Sequence, residues 1–78
     1  MKTLRTENVT KTTVHHGLSG RWFVTVNGVT LGEVGVARHQ PDPVSFRTRD
    51  LAKEKARQLR VIEVVQAYHN GPAYAVQR

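Results

Sequence analysis

Residues 48–69 have the sequence TRDLAKEKARQLRVIEVVQAYH, and the architecture of the chain depends on how they fold. Thr48 is a favourable helix N-cap, and Asp50 in the first turn suits the positive end of a helix. The following Asn70-Gly71-Pro72 supplies a stop, because glycine tolerates the left-handed cap conformation and proline cannot continue a helix. The pattern therefore predicts a helix over residues 48–69.

Two stripes of side chains run along this predicted helix. Apolar residues recur at steps of three or four, and basic residues recur at similar steps on a different face. The apolar stripe consists of Leu51, Ala52, Ala56, Leu59 and Ile62. The basic stripe consists of Arg49, Lys53, Arg57 and Arg60. One face of the helix is expected to cover a core, and the other is expected to present positive charge to solvent.

The segment after Arg60 permits two interpretations. Four apolar residues follow helical spacing there, on a face rotated from the first stripe: Val61, Val64, Val65 and Tyr68. If the helix continues, they cover a sheet edge or form an exposed patch, which predicts a homodimer or a protein partner. If it ends near Arg60, residues 61–68 form a β-branched strand that pairs with residues 73–77. The absence of glycine, proline and asparagine between Ala56 and Tyr68 favours the continuous helix, which is our prediction.

Strands are predicted before the loop that precedes this helix. Residues 9–16 are rich in β-branched side chains, and residues 21–26 alternate with the period expected when one face is buried. Asn27-Gly28 predicts a two-residue hairpin turn, which pairs Val26 with the first residue after the turn. Placing Val34 and Val36 on the buried face requires a shift of register, so we predict a β-bulge at Gly32.

These segments complete one small α+β domain. The predicted fold is a three-stranded antiparallel β-sheet packed against one long C-terminal α-helix. Its parts are a frayed N-terminus (1–8), the antiparallel sheet (9–37), a loop (38–47), the helix (48–69) and a tail (70–78).

The chain carries a marked excess of positive charge. Twelve Lys and Arg against six Asp and Glu give its 78 residues a formal net charge of +6. Between Arg47 and Arg60, six basic residues face only Asp50 and Glu54, which leaves a local charge of 6 − 2 = +4. Such an excess attracts polyanions, nucleic acid first and acidic proteins second. The alternative is a solvated helix face with internal pairs, Glu54 with Arg57 and Asp50 with Lys53.

Several other classes of protein are disfavoured. The chain has no cysteine, which fits a reducing, cytoplasmic compartment and leaves no thiolate for a metal. Nothing approaches the roughly 18 apolar residues that a membrane span needs. His15 and His16 are adjacent, so a strand points them to opposite faces and they do not make a metal site. No nucleophile, phosphate loop or carboxylate pair stands in a catalytic pattern, so we expect no enzyme and no cofactor.

Phe23 stands apart from the other aromatic residues. Trp22 shares a face with Val24 and Val26, whereas Phe23 lies on the opposite face between Arg21 and Thr25. An aromatic ring among basic and hydroxyl side chains is suited to stacking on a base or anchoring a partner. The alternative is that the tail or a second subunit covers it.

Two segments carry a family resemblance. Residues 21–32, RWFVTVNGVTLG, and residues 46–52, FRTRDLA, resemble the arm-site-binding domains of phage integrases and the related plant Apetala-type DNA-binding domain. The resemblance implies three antiparallel strands backed by one helix, with the sheet in the major groove of DNA. It also implies which residues contact DNA and which form the core. Arg21, Phe23, Thr25 and Thr30 would face DNA, and Trp22, Val24, Leu31 and Leu59 would hold the core.

The sequence thus predicts a small basic nucleic-acid-binding protein, for DNA before RNA, of a kind that phages and mobile elements encode. The predicted contact residues are Lys11, Arg21, Phe23, Arg47, Arg49, Lys53, Arg57 and Arg60. The alternative is a non-enzymatic protein-interaction module, an inhibitor or adaptor, that uses the patch of Val61, Val64, Val65 and Tyr68.

Overall fold

A computed structural model describes residues 2–35, 41–66 and 71–78 of the chain. In this part of the chain, one helix and seven strands are formed. They are β1 (Lys2–Asn8), β2 (Thr12–His16), β3 (Trp22–Val26), β4 (Val29–Val34), β5 (Pro41–Pro43), α1 (Arg49–Gln58), β6 (Val61–Gln66) and β7 (Ala73–Gln77).

The seven strands form one mixed sheet rather than the predicted three-stranded one. Six of them follow the order β1-β6-β7-β4-β3-β2, and β5 pairs with β4. Every pair is antiparallel except β4 with β7, which is parallel. The predicted three-stranded sheet on one long helix is therefore wrong: a short helix lies against a larger sheet, to which the chain on both sides of the helix contributes strands.

Helix α1 begins where the sequence predicts and ends much earlier. The Thr48 hydroxyl accepts a hydrogen bond from the Leu51 amide at 3.2 Å, which confirms Thr48 as N-cap. Leu59 is already extended, with φ −74° and ψ 132°. The Arg60 guanidinium then donates to the carbonyls of Arg57 at 2.7 Å and Leu59 at 3.1 Å. This side chain satisfies carbonyls left open at the helix end, so the helix stops without glycine or proline.

The residues after the helix form a central strand, so the predicted helix over 48–69 is wrong beyond Gln58. Strand β6 pairs with β1 on one side and β7 on the other. Ile62, Val64 and Val65 are at most 2 % exposed, because a central strand is covered by its neighbours. The expected exposed patch is consequently wrong for Val64 and Val65, and Tyr68 lies outside the described residues. The alternative interpretation, in which the chain after Arg60 forms a strand paired with residues 73–77, describes this region. The predicted tail over residues 70–78 therefore contains a strand, β7.

Strand β1 corrects the expectation of a frayed N-terminus over residues 1–8. Lys2–Asn8 runs along the free edge of β6, with a shift of register between Thr3 and Arg5. Its side chains are mostly polar and exposed, so the segment lacks the apolar alternation that would predict a strand. The strand forms because β6 offers an apolar sheet edge with unpaired backbone groups, which a polar segment can satisfy.

The sheet is strongly curled. Its two edge strands, β1 and β2, are joined by residues 9–11 alone, which span at most about 14 Å. A flat sheet would separate edges five strand spacings apart by about 24 Å. The Val9 amide bonds to the Arg60 carbonyl at 2.9 Å, and the Asn27 side chain bonds to the linker. The two edges therefore approach each other at this end.

The core lies between the curled sheet and α1, which packs against β2 and β3. The helix contributes only small side chains there, Ala52 and Ala56, at 0 % and 8 % exposure. The sheet and the segment after the helix contribute the larger buried residues, which are Val24, Val26, Leu31, Leu59, Ile62 and Val64. Leu51, predicted to belong to the apolar stripe, is 52 % exposed.

The hairpin at Asn27-Gly28 is confirmed. Asn27 has φ 51° and Gly28 has φ 84°, and Val26 pairs with Val29. The predicted bulge at Gly32 is wrong, because pairing with β7 ends at Gly32 and pairing with β5 begins there, in both cases without a shift of register. Strand β4 changes partners instead, from β3 at its start to β7 and β5 further on.

Gly32 is required by close packing rather than by a bulge, and Gly32→Ala is expected to destabilise the protein. An added Cβ would lie 2.9 Å from the Asp42 carbonyl oxygen and 3.0 Å from the Tyr74 Cβ. Because the first of these is backbone, the expected loss is about 1–3 kcal/mol of unfolding free energy in a urea titration. Gly35→Ala is the matched control, since nothing lies within 4 Å of its Cβ position. Equal stability of the two variants would contradict this account.

Candidate nucleic-acid interface

A groove of about 600 Å³ lies between α1 and the edge strand β2. The helix turns Ala52 and Ala56 inward, so the side chains at steps of four from Arg49 come to lie along the groove. Its lining is formed by Thr12, Val14, Arg49, Asp50, Lys53, Ala56 and Arg57. The structure thus brings three of the predicted contact residues, Arg49, Lys53 and Arg57, to one groove.

The cations of this groove outnumber the carboxylates beside them, which are Asp50 and Glu54. Arg57 forms an ion pair with Glu54 at 3.0 Å, but the two side chains are 74 % and 58 % exposed. Such a pair contributes little and can exchange partners. Within residues 2–35, 41–66 and 71–78, neither Arg49 nor Lys53 forms an ion pair. Of the two internal pairs in the alternative interpretation, Glu54 with Arg57 is therefore formed and Asp50 with Lys53 is not. Three cations and the Asp50 carboxylate leave the groove positive.

The other cations predicted to contact nucleic acid do not line the groove. Arg47 is exposed immediately before the N-cap. Arg60 is exposed, but its guanidinium bonds to carbonyls at the end of the helix and has a structural role. Arg21 donates from Nε to the Ser45 hydroxyl at 2.6 Å, which ties the start of β3 to the segment before α1. Lys11 is exposed in the linker before β2.

Phe23 lies on the other face of the sheet from α1. Val24 and Val26 are fully buried under the helix, and successive strand residues point to opposite faces. Phe23 is half-buried, and its cross-strand partner is the exposed His15. The two rings are stacked, with centroids 5.9 Å apart and planes inclined by 21°. The predicted contact residues therefore occupy two faces on either side of β2.

Sequence reasoning missed His15 and the groove-lining residues of β2. From the sequence, His15 is considered only as a metal ligand. The glycines of the Gly17–Gly20 turn could have placed it opposite Phe23, because a tight reversal fixes the register of the strands that flank it. The contribution of Thr12 and Val14 to the groove depends on the packing of α1 on β2, which leaves no local signal.

The described residues contain neither a cluster of metal ligands nor a membrane-spanning helix. In the three described ranges, no three His, Asp or Glu side chains come together as metal ligands. No helix among those residues has the length and apolarity needed to cross a bilayer.

Comparison with protein-family models, with curated proteins and with solved structures found no match to this chain. The two surfaces beside β2, one cationic and one aromatic, are therefore the candidate sites of function.

Proposed function

We propose that the protein binds nucleic acid, DNA in the first instance, by holding phosphates in the groove between α1 and β2. The observation that carries the proposal is the exposed series Arg49, Lys53 and Arg57 along that groove. Four helical residues rise about 6 Å, so these cations form a row about 12 Å long that suits successive anionic groups. The Thr12 hydroxyl on the opposite wall adds a neutral hydrogen-bonding group.

These side chains form few interactions within the protein, which supports a role in ligand binding rather than in holding the fold together. A cation with a structural role has a fixed partner, as Arg21 has in Ser45 and Arg60 has in the helix carbonyls. The groove cations have either no ion-pair partner in the described ranges or, for Arg57, an exposed one. The net charge of +6 adds a long-range attraction that raises the rate of encounter with a polyanion.

The binding mode follows from the contact type. Phosphate contacts position a nucleic acid without reading its sequence, so we expect weak sequence preference. With three phosphates neutralised, log K should fall with log salt at a slope of about −2 to −3. These values describe a non-specific binder whose affinity depends steeply on ionic strength.

The charge variant Lys53→Gln with Arg57→Gln tests the groove. At about 50 mM salt, we expect it to bind labelled DNA at least about tenfold more weakly than the parent chain. The slope of log K against log salt should also fall to about −1, because one groove cation remains. Fluorescence anisotropy titrations at several salt concentrations measure both quantities.

The matched control is Lys2→Gln with Arg5→Gln, on β1. This control removes the same charge from exposed side chains that do not line the groove. We expect the control to keep the parent slope. Equal losses in the two double variants would show that only net charge matters, and the groove would then have no special role. Absence of binding to both DNA and RNA by the parent chain at about 50 mM salt would refute the proposal altogether.

A further inference from the structure

Strands β2 and β3 present a ready-made aromatic surface on the face opposite α1. His15 is exposed, and its ring is stacked on that of Phe23. The His15 Nε2 atom is 3.1 Å from the Thr25 hydroxyl, to which it hydrogen-bonds. This bond holds the imidazole in place across the two strands.

The Phe23 ring packs over Gly17. A Cβ at Gly17 would lie 2.6 Å from Phe23 Cε2, so the ring occupies space that a side chain at position 17 would fill. Two rings already fixed by a hydrogen bond and by packing lose little conformational freedom when a planar ligand stacks on them.

The surroundings of this ring pair suit an anionic ligand with hydrogen-bonding groups. Register pairs Thr13 with Thr25, and Thr25 with Thr30, so hydroxyls lie beside the rings on the same face. Neither β2 nor β3 contains an acidic residue. Lys11, exposed just before β2, has the same strand parity as the rings and adds a positive charge at one end of this face.

The edge of β2 lies between the rings and the groove. The Asn27 amide donates to the Lys11 carbonyl at 2.8 Å, and bonded positions alternate along an antiparallel pair. Thr12 and Val14 therefore direct their backbone N–H and C=O groups away from β3, towards the open edge. Their side chains line the groove. A ligand that passes round β2 meets groove cations, backbone donors and aromatic rings in turn.

We propose that the ligand is a single-stranded nucleic acid, with its phosphates in the groove and a base stacked on the His15–Phe23 pair. This inference rests on the proposed function. A single strand can bend round the edge of β2 and offer the face of an unpaired base, whereas the bases of a duplex are already stacked on each other. A peptide strand added to the β2 edge would use the backbone groups but leave the ring pair and its hydroxyls without a role.

The test compares four labelled ligands of equal length by anisotropy. They are single-stranded oligo-dT, the same strand with abasic sites, its duplex with oligo-dA, and the matching RNA, oligo-U. One stacked base should make oligo-dT bind about 5- to 150-fold more tightly than the abasic strand. The duplex should also bind more weakly than the single strand. Whichever of oligo-dT and oligo-U binds more tightly identifies the class of strand.

Two variants and one matched control assign the effect to the ring pair. Phe23→Leu and His15→Ala each remove one ring of the pair without changing formal charge at pH 7. Both should weaken binding of oligo-dT at least fivefold, while the salt slope and binding of the abasic strand stay unchanged. His16→Ala is the control, because His16 stacks at 4.4 Å on Trp22, which shares the helix-side face of Val24. It should bind oligo-dT as the parent does.

The possible failures are distinguishable. Equal binding of oligo-dT and the abasic strand, or a preference for duplex, would overturn this inference and leave the groove proposal standing. The same holds if an acidic peptide displaces oligo-dT while both ring variants bind normally. If no nucleic acid binds at low salt, the proposed function fails, and this inference fails with it. The comparison of the four ligands uses the parent chain, so it remains decisive if a variant does not fold.

Discussion

Replacing Val64 with glutamate is expected to unfold the protein. Val64 is 1 % exposed in the central strand β6, where it pairs with Arg5 of β1 and Ala75 of β7. A carboxylate there is stripped of water, and the facing Arg5 is 53 % exposed and already paired with Glu7, so the substitution costs more than about 4 kcal/mol. That reaches the lower end of the stability expected of a domain of this size, which is roughly 4–12 kcal/mol at typical values per residue. Far-ultraviolet circular dichroism and Trp22 fluorescence should both report an unfolded chain.

The same substitution at Leu51 is the control and should be tolerated. Leu51 is 52 % exposed in the first turn of α1, where a negative charge suits the positive end of the helix. We expect the unfolding free energy to change by less than about 0.5 kcal/mol in urea. The pair separates the two interpretations of the sequence. A long helix with an exposed valine patch predicts the opposite order, in which Leu51→Glu unfolds the chain and Val64→Glu only changes its association state.

Removing the Asn27 side chain is expected to have the second largest effect. Asn27 holds the β3–β4 turn against the linker between the two edge strands. Its Oδ1 accepts from the amides of Thr10 at 2.8 Å and Lys11 at 3.1 Å, and from the Thr10 hydroxyl at 3.0 Å. Its Nδ2 donates to the Asn8 carbonyl at 2.8 Å and to the Glu7 carboxylate at 3.4 Å. This one amide therefore joins three segments of backbone.

Asn27→Ala should lower the unfolding free energy by about 2–4 kcal/mol. Part of the loss comes from linker groups left with poorer partners, and part from an alanine forced to positive φ. Asn27→Gly removes the same hydrogen bonds but accepts φ 51° freely, so it should recover about 1 kcal/mol of the loss. Urea unfolding followed by Trp22 fluorescence measures both. Amide exchange at Thr10 and Lys11 should accelerate in both variants. A glycine variant as stable as the parent would show that the hydrogen bonds contribute nothing.

Local sequence specified the features that depend on a few neighbouring residues. Asn27-Gly28 predicts its hairpin because both positions adopt positive φ, and Thr48 predicts the start of the helix because its hydroxyl can cap it. The spacing of Arg49, Lys53 and Arg57 placed these cations on one side of a helix, where the structure has them. Each signal acts over one turn of chain, so no distant segment is needed to realise it.

Contacts between distant segments settled the rest. Residues 61–66 suit either a helix face or a buried strand, and periodicity cannot separate the two in so short an apolar run. They form β6 because β1, more than fifty residues earlier in the chain, and β7, which follows shortly after, supply backbone partners on its two sides. The packing of α1 on β2 likewise formed the groove, to which Thr12 and Val14 contribute without any local signal. Local propensity was nearly equal for helix and strand in residues 61–66, so burial and long-range hydrogen bonding decided in favour of the strand.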